Sequence, residues 1–212
     1  LNTDGAILED NLITQNYIGA IVTADSVVIT DNVFVDNDFR CLSLESNGSE
    51  ILNNEFYQAL EFEMNNFMMT MGGQYNVISD NLFKQELRLH SPNMGAIITG
   101  GWHNEIVNNT FDVDWAVNLG GNASYNIVKD NQIICRELAV ATSNVGNVIQ
   151  GNRIEGHQEY GIERFGIVMT YAHDHIVSDN IIKGVKGRGG YALIYINHGT
   201  NNHILNNQIG DG

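Results

Sequence analysis

Basic residues, proline and long apolar runs are what this sequence has least of. Lys and Arg total 10 against 25 Asp and Glu, a formal charge of −15, so neither nucleic acid nor an anionic membrane is an expected partner. No apolar run is long enough to span a membrane, and no signal peptide is visible at Leu1. One Pro beside 22 Gly favours many tight turns and little helix.

A nine-residue pattern recurs along the whole sequence, and in Tyr75–Phe83 it reads YNVISDNLF. The seventh position of every copy is Asn, and these nine anchor residues are Asn11, Asn32, Asn54, Asn81, Asn109, Asn131, Asn152, Asn180 and Asn207. Successive anchors are 21, 22, 27, 28, 22, 21, 28 and 27 residues apart. Self-similarity at this period predicts a solenoid of stacked units.

Two wholly apolar columns flank the anchors. Three residues before them lie Leu8, Ile29, Ile51, Ile78, Ile106, Val128, Ile149, Val177 and Ile204, and two residues after them lie Ile13, Phe34, Phe56, Phe83, Phe111, Ile133, Ile154, Ile182 and Ile209. The columns directly beside these are mixed in polarity, so the pattern indicates strand, turn, strand with the apolar columns facing inward.

The anchor column predicts a ladder of hydrogen-bonded side-chain amides, because parallel strands about 4.8 Å apart bring identical Asn residues together. We place the left-handed conformation of the turn on these same Asn residues, which tolerate it. A second, weaker ladder is predicted five residues upstream, at Asn76, Asn104, Asn126, Asn147 and Asn202, with His175 replacing one Asn.

These stacked Asn, Ile and Phe columns resemble the repeats of pectate-lyase-like proteins, a group of polysaccharide lyases, glycoside hydrolases, epimerases, fructotransferases and phage tailspikes. The resemblance covers the whole chain. It implies an all-β, single-stranded right-handed parallel β-helix of about nine coils with three strands per coil. We expect residues 1–212 to form a single β-helix domain, and a fragment of a longer chain, since no capping helix is visible at either end.

The two cysteines are expected to be buried thiols. Cys41 and Cys135 lie four coils apart, near 19 Å at the usual strand spacing, which is beyond the reach of a disulfide. Neither has a Cys-x-x-Cys neighbour, so zinc and redox roles are not predicted. We expect no metal ion and no cofactor.

A third strand precedes each turn and is expected to be apolar on both faces, as in Ala20-Ile21-Val22, Ala96-Ile97-Ile98 and Ile167-Val168-Met169. A strand with one face in water should alternate in polarity. We therefore expect another subunit to cover this strip. Tailspikes and fructotransferases are trimers, and the resemblance implies a homotrimer.

The longer repeats carry about six extra residues each, always at the corner between the second and third strands. These connections are Tyr57–Phe67, Lys84–Gly95, Glu155–Phe165 and Lys183–Tyr191. They form two pairs that flank two short coils, so the sequence predicts a cleft roughly 10 Å across between two walls. Long loops on a rigid solenoid are where function usually lies.

The floor of this cleft offers the carboxylates that glycoside hydrolysis requires. We predict Asp112, Asp114 and Glu137 as catalytic residues. The predicted substrate-binding residues are Trp115, Arg136, Arg88, His90, Glu159, Glu163 and Arg164. A lyase would use the arginines to neutralise a uronate, and an aromatic ring can stack on a sugar.

Structural interpretations of the same residues stay open. Asp114 and Arg136 can form an ordinary surface ion pair, Trp115 can simply pack, and the wall residues can be solvated loop. His103, His173 and His198 are expected to be turn residues rather than metal ligands. The Asp-Pro-His-Glu motif of alginate epimerases is absent, as are clear Asp-Asp pairs of polygalacturonases.

The fold resemblance and the walled cleft together predict a carbohydrate-active protein. Its expected partner is a polysaccharide or oligosaccharide, cleaved by hydrolysis, elimination or glycosyl transfer, and a phage tailspike depolymerase is one form of this prediction. The alternative is a non-catalytic β-helix, a stalk or a glycan-binding adhesin. The resemblance implies an extracellular location or the surface of a virion.

Overall fold

The computed structural model describes residues 1–59, 67–86, 95–157, 162, 164–184 and 193–210. Every regular element in these ranges is a strand. In chain order the strands are β1 Ile7–Glu9, β2 Leu12–Thr14, β3 Ile18–Val22, β4 Val28–Thr30, β5 Val33–Val35, β6 Arg40–Glu45, β7 Glu50–Leu52, β8 Glu55–Gln58, β9 Phe67–Gly72, β10 Val77–Ser79, β11 Leu82–Gln85, β12 Gly95–Thr99, β13 Glu105–Val107, β14 Thr110–Leu119, β15 Ile127–Lys129, β16 Gln132–Val145, β17 Val148–Gln150, β18 Arg153–Gly156, β19 Phe165–His173, β20 Ile176–Ser178, β21 Ile181–Lys183, β22 Ile194–Thr200, β23 His203–Leu205 and β24 Gln208–Gly210.

The strands stack along three faces of a parallel β-helix. The first face is a nine-stranded sheet, in the order β1-β4-β7-β10-β13-β15-β17-β20-β23, built from the strands that precede the anchors. The strands after the anchors form the second face and the upstream strands form the third. The long strands β14 and β16 run through the corner between these two faces and join them into one 15-stranded sheet. The predicted fold class is confirmed.

The two apolar columns form the core. From Ile29 to Val177 and from Phe34 to Ile182 every member of each column is at most 1% exposed. Phe34, Phe56, Phe83 and Phe111 stack ring on ring, with centroids 4.9, 4.7 and 5.0 Å apart. Because each coil repeats the same inward residue, like side chains meet at the strand spacing, and the core is continuous along the axis.

The anchor ladder is present and satisfies the amides on both sides. The Oδ1 of Asn109 accepts hydrogen bonds from the backbone N and the Nδ2 of Asn81, both at 3.0 Å. Its own Nδ2 donates to Asn131 Oδ1 at 3.1 Å and to the carbonyl oxygens of Ile78 and Val107 at 2.9 Å. The anchor Asn residues from Asn32 to Asn180 are at most 2% exposed. The side chains of the ladder therefore provide hydrogen-bond partners for buried N–H and C=O groups of the turns, which water cannot reach.

The left-handed turn residue was predicted to be the anchor, but it is the residue before the anchor. Asp10, Asp31, Asn53, Asp80, Asn108, Asp130, Gly151, Asp179 and Asn206 all have φ between 53° and 67°, and no anchor Asn has positive φ. The prediction was wrong because Asn suits both roles. The buried ladder takes Asn, and the exposed left-handed position takes the Asp, Asn and Gly that tolerate it.

The second ladder is also present, and His175 continues it. Its backbone N donates to Asn202 Oδ1 at 3.0 Å, and its Nε2 lies 2.9 Å from Thr142 Oγ1 and 3.3 Å from Asn147 Nδ2. The Nδ1 lies 2.9 Å from the carbonyl oxygen of His173 and donates to it. Burial lowers the pKa of this imidazole below its usual 6.5, so the neutral ring fills the ladder position.

The third face is less apolar outside than predicted. Its outward column runs Ile21, Ser43, Thr70, Ile98, Asn118, Ala141, Val168 and Tyr195. Ser43, Thr70 and Asn118 interrupt the strip, so the strand is not apolar on both faces in every coil. The sequence runs looked continuous because the residues of β9, β12, β14 and β16 that begin this face are buried at the corner.

The two cysteines are free and buried, as expected. Burial raises the pKa of the Cys41 thiol to about 12 and raises that of Cys135 further. Thiols in such surroundings are chemically inert. In the described ranges there is no helix that is long and apolar enough to cross a membrane.

Candidate functional site

A β-bulge shapes the corner between the second and third faces at the two short coils. Val113 of β14 pairs with Cys135 of β16, but Trp115 pairs with Leu138. One residue, Asp114, therefore opposes two, Arg136 and Glu137. A bulge of this kind bends a strand and redirects its side chains. Here it brings a carboxylate, a guanidinium and a second carboxylate to one corner.

Asp114 and Arg136 form a buried ion pair. Both Nε and Nη2 of Arg136 contact Asp114 Oδ1, and the two side chains are 6% and 8% exposed. The backbone N of Asp114 donates to Gln85 Oε1 at 3.4 Å. Within the described part of the chain, Arg136 Nη1 is buried without a hydrogen-bond partner. The structural interpretation of this pair as an ordinary surface contact is therefore wrong, because both groups are desolvated.

Glu137 is held by an aromatic and a basic side chain. Its Oε2 accepts a hydrogen bond from Trp115 Nε1 at 3.0 Å and lies 3.7 Å from Arg164 Nε. Glu137 is 7% exposed, whereas Trp115 and Arg164 are half-buried. Trp115 thus does more than pack, since its indole fixes the orientation of a buried carboxylate. We call Asp114, Trp115, Arg136, Glu137 and Arg164 the corner cluster.

Asp112 lies at the edge of this cluster. It occupies the outward column of the second face, between Lys84 and Ile134, and is half-buried. Of the other predicted site residues, Arg88, His90, Glu159 and Glu163 lie outside the described residues. The structure therefore brings together five of the predicted residues, with Asp112 beside them.

The charges of the corner cluster cancel. Asp114 and Glu137 contribute −2, and Arg136 and Arg164 contribute +2, giving zero among its described members. Two carboxylates held at a fixed mutual geometry can serve as proton donor and base or nucleophile in glycoside cleavage.

Sequence reasoning did not foresee the bulge or Gln85. Phe111 and Ala116 are five positions apart, whereas Ile133 and Ala139 in the next coil are six apart. The two coils are otherwise in register, so this one-residue difference in spacing indicates an extra residue, and hence a bulge, at this corner.

Comparisons with known proteins agree with the architecture. The family model described as "Right handed beta helix region" matches residues 67–209, and the model described as "Periplasmic copper-binding protein (NosD)" matches residues 1–119. The chain therefore belongs to the right-handed β-helix family. No curated protein matches the chain.

Two solved structures illustrate the likeness. DFA-IIIase from Arthrobacter chlorophenolicus A6 in complex with GF2 has a TM-score of 0.63 and 18% identity, covering 99% of this chain and 57% of that one. Alginate lyase from Paenibacillus sp. str. FPU-7 has a TM-score of 0.65 and 16% identity, covering 93% of this chain and 75% of that one. The chain thus spans little more than half of the DFA-IIIase. At these identities the likeness is one of fold.

The described residues do not fit a copper site. Copper in proteins is bound by imidazole, thiolate and thioether groups, yet no group of three or more His, Cys, Asp or Glu among the described residues is placed to hold a metal. His103 and His198 have φ of 53° and 58°, as expected of turn residues. His173 Nδ1 lies 2.8 Å from Thr200 Oγ1.

Proposed function

We propose that the protein is a carbohydrate-active enzyme that cleaves the glycosidic bonds of a polysaccharide, by hydrolysis or glycosyl transfer. The observation that carries this proposal is the corner cluster. It places two buried carboxylates on adjacent coils beside a half-buried Trp, between two pairs of coils with long connections. The fold shared with a DFA-IIIase and an alginate lyase supports it.

Each acid has a proposed role. Asp114, ion-paired with Arg136, is the proposed base that activates water or an acceptor hydroxyl, or the proposed nucleophile that attacks the anomeric carbon. Glu137 is the proposed proton donor. It gives its proton to the glycosidic oxygen as the bond from that oxygen to the anomeric carbon breaks, while Trp115 holds the carboxyl in place. Asp112 is proposed to bind a substrate hydroxyl.

The balance of charge favours a neutral sugar at this site. A polyuronate would bring one negative charge per residue to a site whose described residues carry no excess positive charge, because with Glu137 protonated as the donor the two arginines balance Asp114 and Asp112. Elimination from a uronate needs positive charge beside the substrate carboxylate, whereas Arg136 already pairs with Asp114 and Arg164 lies beside Glu137. Hydrolysis or transfer is therefore proposed ahead of elimination.

The test is a panel of neutral and acidic polysaccharides assayed both for new reducing ends and for the absorbance of unsaturated uronates. Asp112→Asn, Asp114→Asn and Glu137→Gln are each expected to lower the rate by about 10²–10⁴-fold. Glu155→Gln is the matched control, since that carboxylate lies outside the cluster, beside Arg153. Wild-type rates in all three variants would remove the cluster from the mechanism, and unsaturated products would establish a lyase.

Stability must be measured alongside these rates. Asp114 and Glu137 are buried, so their amides are expected to destabilise the fold by leaving an arginine less well paired. Rates are therefore compared well below every melting midpoint.

A cyclic homotrimer is also proposed. Ala141, Val168 and Tyr195 form an apolar run on the outward column of the third face, and Ile98 lies two coils before it. A second subunit would cover this run, and cyclic closure avoids fibres. Light scattering decides the question, because a monodisperse species of 23.5 kDa would be a monomer.

The proposed activity also implies a location. Polysaccharides are met outside the cell, so we propose an extracellular protein or a component of a virion surface such as a tailspike. The second candidate function is a non-catalytic glycan-binding stalk or adhesin. One observation favours it, since both acids of the corner cluster are already engaged by arginines. Binding without product formation across the panel would support this candidate.

A further inference from the structure

A second concave surface lies at the corner after the third strands. It is a groove of about 640 Å³ lined by Trp102, Tyr125, Asn144, Tyr171 and neighbouring residues. A smaller groove of about 290 Å³ continues it and shares Trp102 and Asn122. The third strand, from Trp115 to Leu119, separates this groove from the corner cluster by roughly 13 Å. The two are distinct sites.

Aromatic residues occupy this corner in a conformation that disfavours them. Tyr75, His103 and Tyr125 have φ of 60°, 53° and 57°, and their rings stack at 5.3 and 5.2 Å. The same position in other coils is Gly5, Ser26, Gly48, Gly146, Asp174 and Asn201, also with positive φ. Positive φ is costly for a bulky residue. Tyr75 and Tyr125 are 59% and 51% exposed, so core packing does not explain the rings.

Exposed aromatic rings line the groove. Tyr125 stacks on His103 on one side, and on the other its ring overlies Gly146, where a Cβ would lie 2.5 Å from the ring. Tyr171 lies in the coil beyond Gly146, is 63% exposed and stacks on His198 at 5.1 Å. Tyr125 is six residues before its anchor and Tyr171 is nine, so the two rings lie in different columns and present separate faces to the groove. Each face can stack on one sugar ring.

The rest of the lining is fixed, polar and uncharged. Trp102 Nε1 donates to the carbonyl oxygen of Asn122 at 2.9 Å, which holds an indole that is 52% exposed. Asn144 Nδ2 donates to the carbonyl oxygen of Gly121 at 2.6 Å, leaving Oδ1 as an acceptor. Neither groove is lined by Asp, Glu, Lys or Arg, although the chain carries a charge of −15.

We propose that this groove is a binding site for a neutral glycan, with sugar rings stacked on the exposed faces of Tyr125 and Tyr171 and the glycan continuing past Trp102. Rigid aromatic faces bind the C–H faces of a sugar, and amide and hydroxyl groups bind its hydroxyls. The absence of charge in the lining selects against uronates. The choice of a sugar among ring-shaped ligands rests on the proposed function.

The two tryptophans of the chain allow each site to be read separately. In a Trp115→Phe background, the emission of Trp102 reports the groove, and in a Trp102→Phe background, that of Trp115 reports the corner cluster. Titration with inulin, dextran and galactomannan is expected to change Trp102 emission saturably for at least one of them, and alginate is expected to leave it unchanged. A response to alginate alone, or to no glycan, would overturn the proposal.

Substitution of the tyrosines distinguishes binding from structure. Tyr125→Asn and Tyr171→Asn place at positive φ a residue that tolerates it, so the melting midpoint should stay or rise while affinity falls more than tenfold. Tyr17→Ala is the matched control, because Tyr17 is 61% exposed and stacks on Phe39 elsewhere. Unchanged affinity in both Asn variants would refute the groove. Glu137→Gln should keep groove binding, so loss of catalysis alone leaves this proposal standing.

Discussion

Two corners of the same coil show opposite uses of polar residues. At the anchor turn, nine Asn residues repeat one hydrogen-bond pattern, and those between Asn32 and Asn180 are buried with their amides satisfied. At the bulged corner, the buried charged residues Asp114, Arg136 and Glu137 belong to two adjacent coils, and Arg136 Nη1 has no hydrogen-bond partner within the described residues. The first corner repeats one neutral pattern in every coil, whereas the second concentrates charge in two.

The two corners differ in how much stability is expected to be lost when their polar side chains are replaced by apolar ones. A buried amide ladder cannot be removed without exposing turn backbone that nothing else satisfies. A buried ion pair can often be replaced by apolar residues of similar volume with no loss of stability. Buried charged residues that apolar residues could replace jointly without loss of stability are therefore the better candidates for chemistry.

Breaking the ladder at its middle should have the largest effect. Asn109→Ala removes five side-chain hydrogen bonds and leaves their buried backbone partners unpaired, so we expect a loss of about 4 kcal/mol. Asn11→Ala is the control, since that side chain is exposed at the first coil. Denaturant midpoints measure both. Equal losses at the two positions would mean that burial of the ladder does not set its contribution.

Removing one partner of the ion pair should destabilise the fold somewhat less than Asn109→Ala does. Neutralising the other partner as well should restore most of the lost stability. Arg136→Met leaves Asp114 buried without its cation, for an expected loss of about 3 kcal/mol. The double variant Asp114→Asn with Arg136→Met should recover most of this stability while remaining inactive. If the double variant is as unstable as the single one, the corner cluster is part of the scaffold, and the contrast between the corners fails.

The smallest expected effect tests the one ladder position that is titratable. His175 is neutral in the folded state because burial lowers its pKa below 6.5. The unfolded chain therefore binds more protons as the pH falls below 6.5, and stability declines from there toward the lowered pKa. His175→Asn should remove this decline as the pH falls from 7 to 5. Identical pH profiles for both proteins would show that His175 does not contribute.

Repetition decided how much of this could be predicted. Nine copies of one pattern average out local ambiguity, so the inward Ile and Phe columns, the two ladders and the substitution by His175 were all foreseeable. The left-handed residue was placed one position too late, because the anchor and its predecessor draw on overlapping residue types. Only the buried or exposed environment separates them, and a turn pattern does not reveal that.

The corner cluster was foreseen in membership but not in geometry. Asp114, Arg136 and Glu137 were grouped because their coils are neighbours, whereas their burial depends on a single extra residue that the register absorbs as a bulge. The aromatic groove was missed because its residues are far apart in sequence. Tyr125 and Tyr171 line the same groove although they lie two coils apart and at different positions of the repeat.

The hydrogen bonds of the anchor ladder all run in one sense. In each linked pair the backbone N and Nδ2 of one Asn donate to the Oδ1 of the Asn in the following coil, as Asn32 does to Asn54 and Asn131 to Asn152. Each folded coil therefore offers the following coil the same donors, a backbone N–H and a side-chain amide. Folding can then nucleate in one coil and propagate to its neighbours, and whole coils can be inserted or deleted while the hydrogen-bond pattern stays the same.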